Sequence, residues 1–271
     1  MNAPHTPRFI NGSILSRFSR LELSSADGRV YDLRTTPFRR LAIRLIGLPH
    51  LGFRARANFV LSAVRRLPRG RRVLDAGCGY GIYAMSLAEE GYRVDAIDLD
   101  EKRIAVLNRM RGEYAALKDT LALHTGSLTA LPYAADTFDG IICSEVIEHV
   151  TDDAAAIAEL SRVLKPGGTL ILSVPYDSKH NQKLYKRFEH ERPGYTREKI
   201  GRLLAERGLS VQKVSYYEHA VGRVLFDTFI TIRSMPLMGL LFYPFYGLYV
   251  LDQYCGLGEP NQMVVIAKKT V

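Results

Sequence analysis

The stretch Val73-Leu74-Asp75-Ala76-Gly77-Cys78-Gly79-Tyr80-Gly81 opens as a short apolar run and closes on three glycines, the pattern of a buried strand feeding a turn. Glycine has no Cβ, so the backbone can turn sharply there and a ligand can come close to main-chain groups. Loops of this kind serve nucleotides generally, and Gly79, Gly81 and Ala84 satisfy the G-x-G-x-x-A spacing of a dinucleotide fingerprint. Asp75, two residues before the first glycine, tips the balance the other way. A carboxylate at that point repels a pyrophosphate and suits a ligand carrying an ammonium and a sulfonium.

Outward from this loop the pattern alternates. Residues 82–90 read as a helix stopped at Gly91, 93–97 as a strand, 101–111 as a helix and 121–124 as a strand. A strand at 138–143 and a helix at 152–164 follow, the latter stopped by Lys165-Pro166-Gly167-Gly168, then a strand at 169–174. Helix 196–207 and strands 211–217 and 262–268 complete the set. Alternation at this spacing predicts an α/β, Rossmann-like fold: a mostly parallel seven-stranded sheet with helices on both faces and right-handed crossovers. Ligands in such sheets bind beyond the carboxyl ends of the strands, where the glycine loop lies. On the N-terminal side, 38–46 and 53–67 carry apolar residues at helical spacing, while 1–36 read as an extension. The expected organisation is a basic, helical N-terminal extension or cap over 1–70 and a ligand-binding domain over 71–271. That domain carries an apolar insertion at about 220–255, before its last strand.

The chain has 271 residues, nearly half of them apolar, and a net charge of +9. The charge is uneven: residues 1–72 hold 15 Arg, no Lys and three acids, a net of +12, and the remainder carries −3. Such a segment suits an anionic partner, or is a solvated helix surface. No aromatic-and-basic motif of the RRM or KH type is present, so nucleic acid is not an expected partner. Cys78, Cys143 and Cys255 form neither a disulfide framework nor a metal knuckle, and no secretory signal is visible, so a cytoplasmic setting is expected.

The Asp75–Gly81 loop resembles the first motif, D-x-G-x-G-x-G, of the class I S-adenosylmethionine-dependent methyltransferases. The resemblance runs from about Val73 to Pro175. It implies S-adenosylmethionine as cofactor, with Asp75, Ala76, Gly77, Cys78 and Gly79 around its methionine part. The acid ending the second strand bridges the ribose hydroxyls in that family; here it falls on Asp98, with Leu99 beside it, while Asp100 reads as a helix N-cap. The family's Gly-Asp pair after strand three is Gly126-Ser127 here, so adenine contacts are carried onto Ser127 and Leu128. Ser144 and Glu145, ending strand four, complete the implied cofactor set.

Methyl transfer is an in-line displacement on an activated sulfonium, so positioning supplies much of the acceleration. A general base is needed only when the acceptor holds its proton at working pH. The candidates are Glu148 and His149, in a run Glu145-Val-Ile-Glu148-His149 expected on one side of a helical turn, and His190 in the polar stretch 188–195. The E-x-x-E-H run resembles that of the ubiquinone-biosynthesis O-methyltransferases, where the acids and His are associated with a divalent metal. No metal ligand set is assigned on the sequence, and a supporting hydrogen-bond role for Glu148 and His149 competes with catalysis.

Residues 234–251 are eighteen without charge, but two prolines and two glycines oppose a plain membrane span. A span would also strand the last β-strand across the bilayer. A lid over the acceptor site or an interfacial segment escapes both objections. The expected activity is therefore methyl transfer to an O, or to an N or C, of a small, apolar or lipid-like metabolite, with peripheral contact at the inner face of the membrane. A nicotinamide-dependent oxidoreductase built on Gly79, Gly81 and Ala84, and a cofactor-binding, membrane-associated protein without turnover, stay open on the sequence.

Overall fold

The computed structural model describes residues 22–24, 30–32, 51–112, 115–232 and 238–270. The helix expected at 38–46 lies outside them. Within the N-terminal extension, Glu22–Ser24 and Val30–Asp32 pair as an antiparallel two-stranded ribbon.

The main body runs α1 (Leu51–Val64), β1 (Arg72–Ala76), α2 (Ile82–Glu89), β2 (Arg93–Asp98), α3 (Glu101–Gly112), α4 (Ala115–Lys118), β3 (Leu121–Thr125) and β4 (Phe138–Ser144). It continues with α5 (Asp153–Val163), β5 (Leu164–Pro175), α6 (Lys179–Leu184), α7 (Arg197–Ala205), β6 (Leu209–Tyr217), α8 (Ala220–Ile232), α9 (Met238–Cys255) and β7 (Gln262–Lys269). The seven strands form one sheet in the order β3-β2-β1-β4-β5-β7-β6. Six run in the same direction; β7 alone of the seven is reversed, antiparallel to both β5 and β6. The order reverses between β1 and β4, so their carboxyl ends open a crevice at the topological switch point.

Period-two alternation sorts each strand onto two cores. Val73, Ile142 and Ile171 pack with α1 and α2 on one face, whereas Leu74, Ile141, Leu170 and Leu172 pack with α5 and α7 on the other. α1 places Ala57, Val60, Leu61 and Val64 in the first of these cores, so this part of the N-terminal segment is built into the domain. Full burial of one such aliphatic side chain contributes about 1.5–3 kcal/mol.

Helix ends follow their caps. Asp152 accepts from the Ala155 amide to start α5, and Thr196 accepts from Lys199 to start α7. One boundary differs from expectation: α5 ends at Val163 and β5 already begins at Leu164, before the Pro-Gly-Gly turn. Leu164 pairs with Phe138 of β4, and this tertiary contact overrides the local stop signal. The apolar insertion is a helical pair, α8 and α9, packed on each other. α9 continues through Pro244, and among the described residues no helix is long and apolar enough to cross a membrane.

Candidate active site

The β1–α2 turn is held in shape by the neighbouring strand. The amides of Gly77 and Cys78 both donate to the Ile97 carbonyl, at 2.8 and 2.9 Å. Gly77 has φ +73°, and a Cβ there would lie 2.4 Å from Val146, so only glycine lets the turn sit against the exit of β4. Gly79 also has positive φ, but space is open around its missing Cβ. Its amide donates to Asp98 Oδ2 at 2.7 Å, and Asp98 Oδ1 accepts from the Asp100 amide at 3.0 Å. Asp98 is therefore tied to the glycine turn and still has lone pairs to accept from two hydroxyls. Leu99 beside it is 73% exposed. Ser127 turns its hydroxyl onto Thr129, accepting from that residue's amide and lying 2.8 Å from its Oγ1, while Leu128 is buried in the second core.

Asp75 is buried, and its carboxylate accepts from the Ala84 amide in the first turn of α2 at 3.0 Å. Burial above all, opposed by that hydrogen bond and reinforced by the charge of Asp98, pushes its carboxyl up to about 7. Burial, followed by Asp75 and Asp98, likewise drives the Cys78 thiol far up, which makes it a packed group and no nucleophile.

The sequence reading missed Arg56. α1 carries this guanidinium to the ends of β4 and β5, where Nη1 lies 3.2 Å from Glu145 Oε2. Glu145 has φ +57° and also accepts from Ser173 Oγ at 2.9 Å. Burial opposes the charge of Arg56, but Glu145 together with Tyr83 and Tyr217 outweighs it and holds the guanidinium charged. Arg56 Nε, Tyr83 Oη and Ser144 Oγ are buried together, with Tyr83 adjoining both Arg56 and Ser144. A signal for Arg56 existed: it stands at helical spacing between Phe53 and Val60, on a stripe that is otherwise apolar.

The structure divides the Glu145–His149 run differently from the sequence expectation. No α-helical turn forms; Glu145 adopts a left-handed conformation and leaves the group, and a short 3-10 turn spans Ile147–His149. Glu148 and His149 instead meet His190, their ligand atoms all within 4.8 Å of one another. The His149 and His190 rings stand edge to face at 4.5 Å, and His149 Nδ1 lies 3.2 Å from the Glu189 carbonyl. Burial and the neighbouring His149 lower His190 to about 4, so its imidazole is neutral at pH 7. Burial and then Glu145 raise Glu148 well above the carboxylate range. Both Glu148 oxygens are buried without a partner. One carboxylate and two imidazoles with two orphaned oxygens fit a divalent ion such as Zn²⁺ or Mn²⁺. Arg192 is a staple: it donates to the carbonyls of Ile147, Val150 and Thr151 at 2.7–2.9 Å.

Residues 74–172, which span the glycine turn, Asp98, Ser127 and the Glu145–His149 run, match the family model of the methyltransferase domain. The chain's similarity to ubiquinone biosynthesis O-methyltransferases is 39% identity over 111 residues for the Xanthomonas axonopodis pv. citri enzyme, covering 41% of this chain and 46% of that one. For the Psychrobacter cryohalolentis enzyme it is 38% over 105 residues, covering 38% and 40%. The chain thus spans less than half the length of these curated relatives. Among solved structures, the geranyl diphosphate methyltransferase in complex with SAM superposes with a TM-score of 0.64 at 20% identity, covering 84% of this chain and 90% of that one. The [4+2]-cyclase SpnF superposes with a TM-score of 0.59 at 19% identity, covering 80% and 84%. At these identities the likeness concerns the fold.

Proposed function

We propose that the protein is an S-adenosylmethionine-dependent methyltransferase that moves a methyl group to an oxygen, or to a nitrogen or carbon, of a small apolar or lipid-like metabolite. The observation that carries this reading is the hydrogen bond from the Ala84 amide to Asp75. A dinucleotide places its pyrophosphate on the first amides of this helix. Here a buried carboxylate takes one of them and adds negative charge, which disfavours a nicotinamide dinucleotide and favours a cationic ligand.

In this reading Asp98 accepts from both ribose hydroxyls, while Ala76, Gly77, Cys78 and Gly79 present backbone groups to the methionine part. Ser127 and Leu128 border the adenine, with Leu99 covering the ribose side. Asp75, Ser144 and Glu145 face the ammonium, and Arg56, held charged, receives the carboxylate. Residues 1–70 cap the domain, with α1 as the part that reaches the site. The bound cofactor supplies the activated methyl group. His149 takes the proton of the acceptor, the Glu189 carbonyl and neutral His190 hold its ring in place, and Glu148 stands beside them. An ion held by Glu148, His149 and His190 would instead lower the pKa of a coordinated hydroxyl, a second reading favoured by the two orphaned Glu148 oxygens. The similarity to ubiquinone biosynthesis enzymes supports a lipid-like acceptor, which a cytoplasmic enzyme would meet peripherally at the inner face of the membrane.

Calorimetric titration with S-adenosylmethionine and, separately, NADH tests the cofactor. Tight binding of the first alone is expected, followed by release of S-adenosylhomocysteine in a screen of apolar phenols and quinols. NADH binding, or cofactor binding without turnover on any acceptor or cell extract, overturns the assignment.

A further inference from the structure

The helical pair α8–α9 keeps one side in water. Val221 and Val224 on α8, Leu248, Leu251 and Tyr254 on α9 and Leu257 just beyond it are all exposed, Tyr254 at 77%. They make up six of the eight exposed large apolar residues among the described ones. On α9, Leu248, Leu251 and Tyr254 follow one another at steps of three, whereas Tyr249 and Asp252, on the flank turned to the domain, are buried. The helix therefore has one face engaged with the domain and one apolar face turned outward.

The buried side is anchored by polar bonds. Tyr249 Oη donates to Glu218 at 2.8 Å, Asn261 Nδ2 donates to the same carboxylate at 2.7 Å, and the His219 amide donates to Asp252 at 2.7 Å. Gly222 lets α8 approach Asp252 so closely that a Cβ there would lie 2.4 Å from its carboxylate. The outward face is thus presented on a fixed support.

Directly beside that face lies a basic cavity of about 340 Å³, lined by Lys179, His180, Lys183, Arg223 and, from the loop after α9, Gly258 and Glu259. Ala220 and Arg223 of α8 line the cavity together with Gly258, the residue after Leu257, so its rim meets the start of α8 and the end of α9. Glu259 accepts from the Lys179 amide at 3.2 Å and is the one acid in the lining, against three full positive charges. Among the described residues no ion pair is formed by Lys179, Lys183 or Arg223.

We infer that the α8–α9 face docks on an anionic lipid bilayer, with the apolar side chains entering the interface and Lys179, Lys183 and Arg223 receiving a phosphate headgroup. Apolar area and cationic charge on one edge match the two layers a bilayer offers, acyl boundary and headgroup. A protein partner would need acidic groups framing an apolar patch, and a second copy of this face would set its cations against each other. The helices are too short and too interrupted to span, so they lie on the surface. The inference deepens the proposed function by saying where a lipid-like acceptor is met, but vesicle binding is measured without turnover.

Co-sedimentation of the full chain with vesicles of phosphatidylcholine alone, and of phosphatidylcholine with 30 mol% phosphatidylglycerol, tests it. Binding to the anionic vesicles is expected to exceed binding to neutral ones by about tenfold and to weaken in salt. Leu251→Glu with Tyr254→Glu, and separately Lys183→Glu with Arg223→Glu, are each expected to lower it about tenfold. Both pairs lie on the surface, so circular dichroism and S-adenosylmethionine affinity are expected to match the parent. Equal sedimentation of parent and variants overturns the inference, since the basic N-terminal segment would then carry the binding. Absent vesicle binding overturns it as well, whether light scattering shows a dimer broken by Leu251→Glu or inorganic phosphate binds the cavity on its own.

Discussion

Asp98 spends one oxygen on the Gly79 amide and the other on the Asp100 amide, which orients the carboxylate and leaves lone pairs toward the open side of the glycine turn. Asp98→Ala removes a charge-assisted bidentate acceptor, so S-adenosylmethionine affinity is expected to fall by about 1.5–3 kcal/mol in calorimetry. An unchanged Kd would remove Asp98 from the ribose role. Asp75 makes a pH prediction whose sign follows from its raised carboxyl, at about 7 in the free protein. A cationic ligand favours the ionised form, so below pH 7 binding must expel a proton and above it need not. Affinity is expected to be full at pH 8 and about tenfold weaker at pH 6, with the slope abolished in Asp75→Asn. In the free protein the same shift opposes folding above pH 7, and that penalty fades as pH falls from 7 toward the unfolded carboxyl value near 4. Thermal melts of the two proteins at pH 8 and pH 5 check it: the stability Asp75→Asn gains relative to the parent is larger at pH 8 than at pH 5.

The turn Ile147–His149 and the loop 188–195 act as one element, because Arg192 of the second donates to the Ile147 carbonyl of the first and to Val150 and Thr151 just after it. Removing a largely buried guanidinium leaves those carbonyls unsatisfied, so Arg192→Ala is expected to cost about 2–4 kcal/mol in denaturant unfolding. Turnover is expected to drop with it, since His149 and His190 lose their common support. His149→Ala is expected to lower kcat by about 10²–10⁴ while leaving cofactor Kd within twofold, as for a lost general base. Chelation separates the two readings of this cluster: full activity after EDTA treatment keeps His149 as base, and loss restored by Mn²⁺ or Zn²⁺ assigns it as a ligand. The Ile147–His149 turn also shows how an element escapes sequence rules. Its E-x-x-E-H spacing reads as a helical turn, but the left-handed Glu145 that precedes it is held by Arg56 and Ser173, contacts 89 and 28 positions away.

At the scale of the molecule, α1 joins the sheet core and the site. Leu61, fully buried against that core, is expected to cost about 2–5 kcal/mol as Leu61→Ala. Because α1 also carries Arg56, the Tm rise on adding S-adenosylmethionine is expected to shrink in Arg56→Ala, while Leu61→Ala lowers Tm and keeps most of the rise. Strand and helix order, the acid–glycine turn and the acid ending β2 were legible in the sequence because each is a local event. Alternation of apolar residues, a missing Cβ and a carboxylate at a strand tip act within a few residues of one another. The Asp75–Ala84 bond, the Arg56–Glu145 pair, the meeting of His190 with Glu148 and His149, and the apolar face of α8–α9 beside a basic cavity were decided by the tertiary structure. Each joins segments that only the 3-2-1-4-5-7-6 strand order and the resulting helix packing bring within reach. A side chain's partner across the fold depends on where the backbone is placed, and nothing in the local spacing of residues encodes that.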